Sequence, residues 1–302
     1  MRVAVVDLGT NTTRLLVADV QDGRVDEVER RVEITSLGEG VEARRKLLPL
    51  PIARVRNVLT EYRRAADGLG AERVLALGTS AIRDAENGEA FLGEVEWSYG
   101  FTSRLLSGED EALLTFRGAT LGRHGTDGTL VVDLGGGSTE LVTSERAVSV
   151  DIGSVRLTEQ FGEDIGAIAT RVRAELPDGF SPRTAIGVAG TITSLAALDL
   201  GLEEYDRERV HGHRLSAADV DRQLARLAAL SLDERRKVPA LDPKRAPVIV
   251  AGATLLREIL ARYGLEEIEA SERDLLDGAA FEAAALPEPV EGEAPPGAYT
   301  CC

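Results

Sequence analysis

Cysteine is nearly missing from this 302-residue chain: the only two, Cys301 and Cys302, stand side by side at its end. Placed there they cannot staple a core, and no metal-ligand spacing surrounds them. Lysine is almost as scarce, at Lys46, Lys237 and Lys244, so arginine supplies the rest of the 35 basic residues. No apolar run approaches the roughly 20 residues that a membrane span needs. The N-terminus offers only a short apolar strand ending at Asp7, which predicts no signal peptide and a cytoplasmic protein. Positive charge is in deficit, with a net charge of −16. That excludes broad electrostatic binding of DNA or of a membrane surface. Any anionic ligand therefore needs a local basic pocket.

What is present is an ordinary soluble composition, 43% hydrophobic and 28% charged. The length suits two domains, each able to bury its own core. One stretch organises the rest, VVDLGGGSTE (131–140). A short apolar run delivers Asp133, then Gly135, Gly136 and Gly137, then Ser138, Thr139 and Glu140. Consecutive glycines let the backbone present bare N–H groups to an anion, and phosphate is the natural occupant. Asp133 and Glu140 supply hard oxygen ligands of the kind Mg²⁺ prefers alongside substrate phosphates. A plain tight hairpin is the alternative, since short glycine motifs are common false positives.

The motif occurs twice. VVDLGTNTTRLLV (5–17) and VVDLGGGSTELVT (131–143) share their first five residues and then Thr and Leu at matching positions. Two copies of one strand–turn–strand predict two related halves, with the turn Gly9, Thr10, Asn11 and Thr12 opposing the glycine turn. GRHGTDG (122–128) has linker composition, which places an N-terminal domain at 1–124 and a C-terminal one at 125–286. Residues 287–302 cannot bury apolar surface and are expected to be a disordered tail. The pattern further predicts a mobile loop over 38–49 and strands over 97–106 and 246–251. Strands cluster before helices in both halves, which suggests two α/β domains on mixed sheets.

Four other stretches carry candidate chemistry. TSAIRD (79–84) follows a buried strand, where open α/β sheets place ligands, and contains Ser80 and Arg83. Arg83 offers a planar fork to phosphate oxygens, or else pairs with Asp84. SGEDEA (107–112) packs three carboxylates into a helix start, where they complement the helix dipole or provide a general base for water. VAGTIT (188–193) and VAGAT (250–254) read as strand–glycine–helix transitions, and Gly190 and Thr191 would offer amides to a phosphate. His211 and His213 are too weakly spaced for a metal site.

Taken in order, VVDLGTNTTRLL, TSAIRDAENG, SGEDEA, DLGGGSTE, GSVRLTEQF, AGTITSL and KRAPVIVAGATLL resemble the exopolyphosphatase/guanosine pentaphosphate phosphohydrolase (Ppx/GppA) family. The resemblance implies a duplicated actin-like α/β fold with the phosphate site in an interdomain cleft. It implies Glu111 as general base and Arg83 on the terminal phosphate. Asp133, Gly135, Gly136 and Glu140 match the phosphate–metal loop, and Asp7 and Asn11 the opposing one. Asp7, Asp133 and Glu140 are the expected metal ligands. Mg²⁺ is the expected cofactor, with Mn²⁺ or an added K⁺ as variants.

The expected reaction is hydrolysis of the terminal phosphoanhydride of inorganic polyphosphate. The 5′-phosphate of guanosine pentaphosphate is the alternative substrate, and a phosphotransferase or a sensor of the same fold are the remaining readings. The chain's end near 300 residues predicts short polyphosphate chains as substrates. The family implies a homodimer. Ala189 stands where the family often has glycine.

Overall fold

A computed structural model describes residues 1–287; the expected tail, from residue 288 on, lies outside the described residues, as do Cys301 and Cys302. The chain forms two compact units. The first comprises Met1–Leu114 and the described residues from Leu275, and the second Thr115–Asp274. The boundary expected near residue 124 thus falls ten residues earlier, and the last helix rejoins the first unit because it packs on that unit's central strands.

In chain order the first unit contains β1 (Arg2–Leu8), β2 (Thr12–Gln21), β3 (Arg24–Ile34), α1 (Val41–Arg44), α2 (Pro49–Gly68), β4 (Arg73–Gly78), α3 (Ser80–Asp84), α4 (Gly88–Tyr99), β5 (Thr102–Leu105) and α5 (Gly108–Ala119). Helix α5 runs through the division after Leu114. The sheet order is β3-β2-β1-β4-β5, antiparallel from β3 to β1 and parallel from β1 to β5. Ala4, Val6 and Leu8 of β1 share a core with Val55, Leu59 and Tyr62 of α2. Prolines fit the first turn of α2, and the Tyr62 hydroxyl donates to the Thr13 carbonyl at 2.9 Å.

Two expectations fail here. Residues 97–99 are the last turn of α4, closed by Gly100 at φ 64, so the strand shrinks to β5. Their aromatic content mimics a strand, but Phe91, Leu92 and Val95 bury a helical face. The loop over 38–49 is anchored. Val41 and Leu47 are buried, and the Asn87 side chain bonds both the amide (2.8 Å) and the carbonyl (3.1 Å) of Leu47.

The second unit contains β6 (Thr129–Leu134), β7 (Thr139–Val142), β8 (Ala147–Val150), α6 (Ser154–Phe161), α7 (Ile165–Glu175), β9 (Thr184–Val188), α8 (Gly190–Asp199), α9 (Arg207–Val210), β10 (Arg214–Ser216), α10 (Ala217–Ala228), α11 (Leu232–Arg235), α12 (Ile249–Tyr263) and β11 (Glu267–Ala270). Helix α13 (Leu275–Ala285) closes the described chain. The sheet order is β8-β7-β6-β9-β11-β10, which repeats the first unit's meander and parallel crossover and adds one edge strand. This duplicated mixed-sheet layout gives two related α/β units, as the repeated motif predicts.

The strand expected over 246–251 is instead the approach to α12 and its first turn. That helix is buried almost all round, and a fully apolar run does not distinguish a strand from an interior helix. Among the described residues no helix is long and apolar enough to cross a membrane.

Candidate active site

The repeated motif folds twice into the same hairpin. Asp7 pairs with Arg14 and Leu8 with Thr13 across β1–β2; Asp133 pairs with Glu140 and Leu134 with Thr139 across β6–β7. Each turn closes with one bond, Gly9 N to Thr12 O at 2.9 Å and Gly135 N to Ser138 O at 3.1 Å.

In both turns the carbonyls are taken from behind. Thr10 O accepts from Gly38 N, while Asn11 O accepts from Thr35 and Ser36 N. Gly135 O accepts from Ser154 N, and Gly136 O from Val155 and Arg156 N. Gly153 makes this possible, because a Cβ there would stand 2.4 Å from the Gly136 carbonyl. The amides of Thr10, Asn11, Gly136 and Gly137 bond nothing among the described residues. Two turns with occupied carbonyls and open amides are anion cradles in the physical sense.

In the first unit, α3 and α5 bring Arg83 and Glu111 together. Arg83 Nη1 donates to the Leu106 carbonyl at 2.9 Å and to Glu111 Oε2 at 3.2 Å. Glu111 is only 8% exposed, so the guanidinium offsets the charge of a largely desolvated carboxylate. Of the neighbouring carboxylates, Glu109 is exposed and Asp110 accepts from Ser107, which holds its carboxyl below the usual range. Ser80 begins α3, and its hydroxyl oxygen is buried with no hydrogen-bond partner.

In the second unit, Asp133 Oδ2 accepts from Thr115 Oγ1 at 3.1 Å, and Glu140 Oε1 from Ser149 Oγ at 2.7 Å. Arg156 Nε donates to the Gly137 carbonyl at 2.7 Å and braces the turn. Gly190 opens α8 as the motif predicted. A Cβ there would lie 1.4 Å from Arg245 Nη1, so glycine is what lets that guanidinium rest on the helix start. The second transition, 250–254, lies inside α12, where Gly252 admits the Thr191 side chain.

Asp133 and Glu140, facing one another across the β6–β7 ladder, suit a hard divalent cation. No group of three metal-capable side chains exists among the described residues. Mg²⁺ does not need one, since it is commonly held by one or two carboxylates plus substrate phosphates. Asp7 differs: Arg14 Nη2 sits 2.8 Å from its Oδ2, and Arg14 Nε donates to the same oxygen. His211 accepts from the Glu272 amide, burial pushing its pKa down, and His213 pairs with Asp199 at 2.8 Å.

The motifs did not single out Thr115, Ser149 or Arg14. For Arg14 the signal was legible: in the aligned repeats it occupies the position of Glu140, the one charged mismatch.

A family model described as the Ppx/GppA phosphatase family matches residues 16–285. Exopolyphosphatase 2 of Mycobacterium tuberculosis is 37% identical, over 94% of this chain and 98% of that protein. The crystal structure of the Aquifex aeolicus Ppx/GppA family member is 30% identical with a TM-score of 0.78, covering 94% of this chain and 98% of that one. An exopolyphosphatase structure from Cytophaga hutchinsonii shares the fold, at 24% identity and a TM-score of 0.86 over 95% of this chain and 99% of that one.

Proposed function

The chain belongs to the Ppx/GppA phosphatase family, and from that premise we propose that it hydrolyses the terminal phosphoanhydride bond of inorganic polyphosphate. The observation that carries the reading is the pair of matched turns with open amides, set on the same strands as the acidic residues.

In this reading the amides of Gly136 and Gly137, with those of Thr10 and Asn11, take phosphate oxygens. Arg83 stabilises charge on the transferring phosphoryl group. Glu111 accepts a proton from a water, whose oxygen bonds the terminal phosphorus as the bridging P–O bond breaks. The shortened chain leaves with the bridging oxygen, and the other product is orthophosphate. Asp133 and Glu140 would hold a divalent cation, proposed to be Mg²⁺, which neutralises phosphate oxygens when bound. Asp7, paired with Arg14, serves in this account as a brace for the first turn. A homodimer, which rests on the family alone, and a cytoplasmic location are part of the same reading.

The test is orthophosphate release with Mg²⁺ from polyphosphate and from guanosine pentaphosphate in parallel. Release from polyphosphate supports the proposal. Release from guanosine pentaphosphate alone would move the assignment to the 5′-phosphohydrolase, and no release from either would overturn it.

A further inference from the structure

A polyanion is an awkward ligand for a protein of net charge −16. Its chain must meet positive charge locally, because the global field repels it. Most arginines here cannot serve, being engaged with carboxylates or carbonyls, as Arg14, Arg30, Arg56, Arg173 and Arg235 are. The first unit has one run that is different, Arg44-Arg45-Lys46, three consecutive exposed cations. Among the described residues the Arg44 and Arg45 side chains make no hydrogen bond or ion pair. Lys46 has only a 3.4 Å contact to Glu86, with both side chains well exposed.

The run is mounted firmly. Its flanks, Val41 and Leu47, are buried at 5% and 3% exposure. Gly38 N bonds Thr10 O at 2.8 Å, which ties the segment's base to the first phosphate turn. Glu86 N bonds Arg45 O at 2.8 Å, Asn87 clamps Leu47, and α1 packs on α3, the helix that carries Arg83. Arg45 itself sits at φ 54, a left-handed conformation that favours glycine and costs a long side chain free energy. That conformation closes α1, with Arg45 N bonding Val41 O at 2.8 Å, and it leaves an unpaired arginine between two other exposed cations on a segment packed against the helix that carries Arg83.

We propose that Arg44, Arg45 and Lys46 form a cationic ridge that binds the polyphosphate chain beyond its reacting end. The inference rests on the polyphosphate reading above. Repeating phosphates present a charge at every unit, so consecutive cations on a fixed backbone match them without any side-chain pocket. Tripolyphosphate, with only two phosphates beyond the reacting one, offers the ridge the fewest charges.

The test is the triple variant Arg44→Ala/Arg45→Gly/Lys46→Ala, in which glycine suits the left-handed position and keeps folding out of question. A control variant, Arg24→Ala/Arg64→Ala/Lys237→Ala, removes the same charge from exposed sites elsewhere. The ridge variant should raise KM for medium-length polyphosphate about tenfold, leave kcat within about twofold, and flatten the salt dependence of kcat/KM. Its kcat/KM on tripolyphosphate should match that of the native protein.

A KM equal to that of the charge-matched control overturns the ridge. Calorimetric binding of the same polyphosphate by ridge-intact and ridge-deleted protein, both also carrying Glu111→Gln, gives a readout free of turnover. Equal affinities there overturn the ridge as well. A native protein inactive on every polyphosphate, by contrast, sinks the functional reading itself.

Discussion

One guanidinium nitrogen, Arg83 Nη1, holds both the Glu111 carboxylate at 3.2 Å and the Leu106 carbonyl at 2.9 Å. The contact fixes where the carboxylate points and ties α3 to the segment leading into α5. Glu111→Gln keeps the shape and removes the proton acceptor. It should lower kcat by about 10²- to 10⁴-fold while leaving polyphosphate affinity within about twofold. Steady-state orthophosphate release and calorimetry on the same preparation separate the two effects; an unchanged kcat would remove Glu111 from the base role. Arg83→Lys should also lower kcat, because a single ammonium nitrogen cannot hold Leu106 and Glu111 and still offer a planar pair of N–H groups to the phosphoryl oxygens.

Thr115 departs from the habit of its neighbours. Thr60, Thr158, Thr170 and Thr254 all turn their hydroxyls back onto the carbonyl four residues earlier in their helices. Thr115 donates to Asp133 Oδ2 instead, and it is fully buried. It is a positioning residue for a carboxylate proposed to hold metal. Thr115→Val should therefore raise the Mg²⁺ concentration needed for half-maximal activity about tenfold or more, as losses beside a ligand typically do. Saturating Mg²⁺ should recover most of the rate, and Thr115→Ser should restore the native metal dependence. A drop in kcat at every Mg²⁺ concentration, unaltered by serine, would mean a packing role only.

The hairpins were legible because a duplicated motif carries its own register: once VVDLG appears twice, the pairing of Asp133 with Glu140 follows from the pairing of Asp7 with Arg14. Residues 246–251 were not, since a run buried on all sides has no period to read. Nor was the return of α13 to the first unit, which depends on contacts with β1 and β2 far away in sequence. Thr115 was hidden for a similar reason: its partner lies 18 residues on, and a lone threonine on the buried face of a helix announces nothing.

Ala189 joins β9 to α8 at φ 69 and ψ 169, a region that side chains other than glycine's hydrogen rarely enter. Such a conformation costs about 1–3 kcal/mol. Glycine relieves it at a cost of about 0.5–1 kcal/mol in added chain entropy. Ala189→Gly should therefore stabilise the fold by about 1 kcal/mol, seen as a higher urea midpoint with an unchanged slope. A lower midpoint would show that the alanine methyl makes packing contacts worth more than the strain.

Arg235 is fully buried, yet it is charged and satisfied. It donates to the carbonyls of Leu227, Leu230 and Ala246 and, through both terminal nitrogens, to Glu163 at 2.6 and 3.0 Å. These bonds join the end of α10 to the segments before α7 and α12. Removing the guanidinium takes a hydrogen bond from three carbonyls and empties a buried site, while the half-exposed Glu163 carboxylate turns to water, so Arg235→Ala should cost about 2–4 kcal/mol. Glu163 tests the electrostatic share. Hydrogen bonds from Arg235 hold its carboxyl below the usual carboxylate range, against the opposing effect of desolvation. A carboxyl depressed by folding contributes stability that is present above its unfolded pKa, about 4.3, and is lost as pH falls through the lower folded value. Glu163→Gln should accordingly unfold earlier than the native protein at pH 7, and the gap should narrow as the pH is taken below about 4. Thermal unfolding of the two proteins across that range decides it: a gap independent of pH would mean that Glu163 contributes shape and not charge.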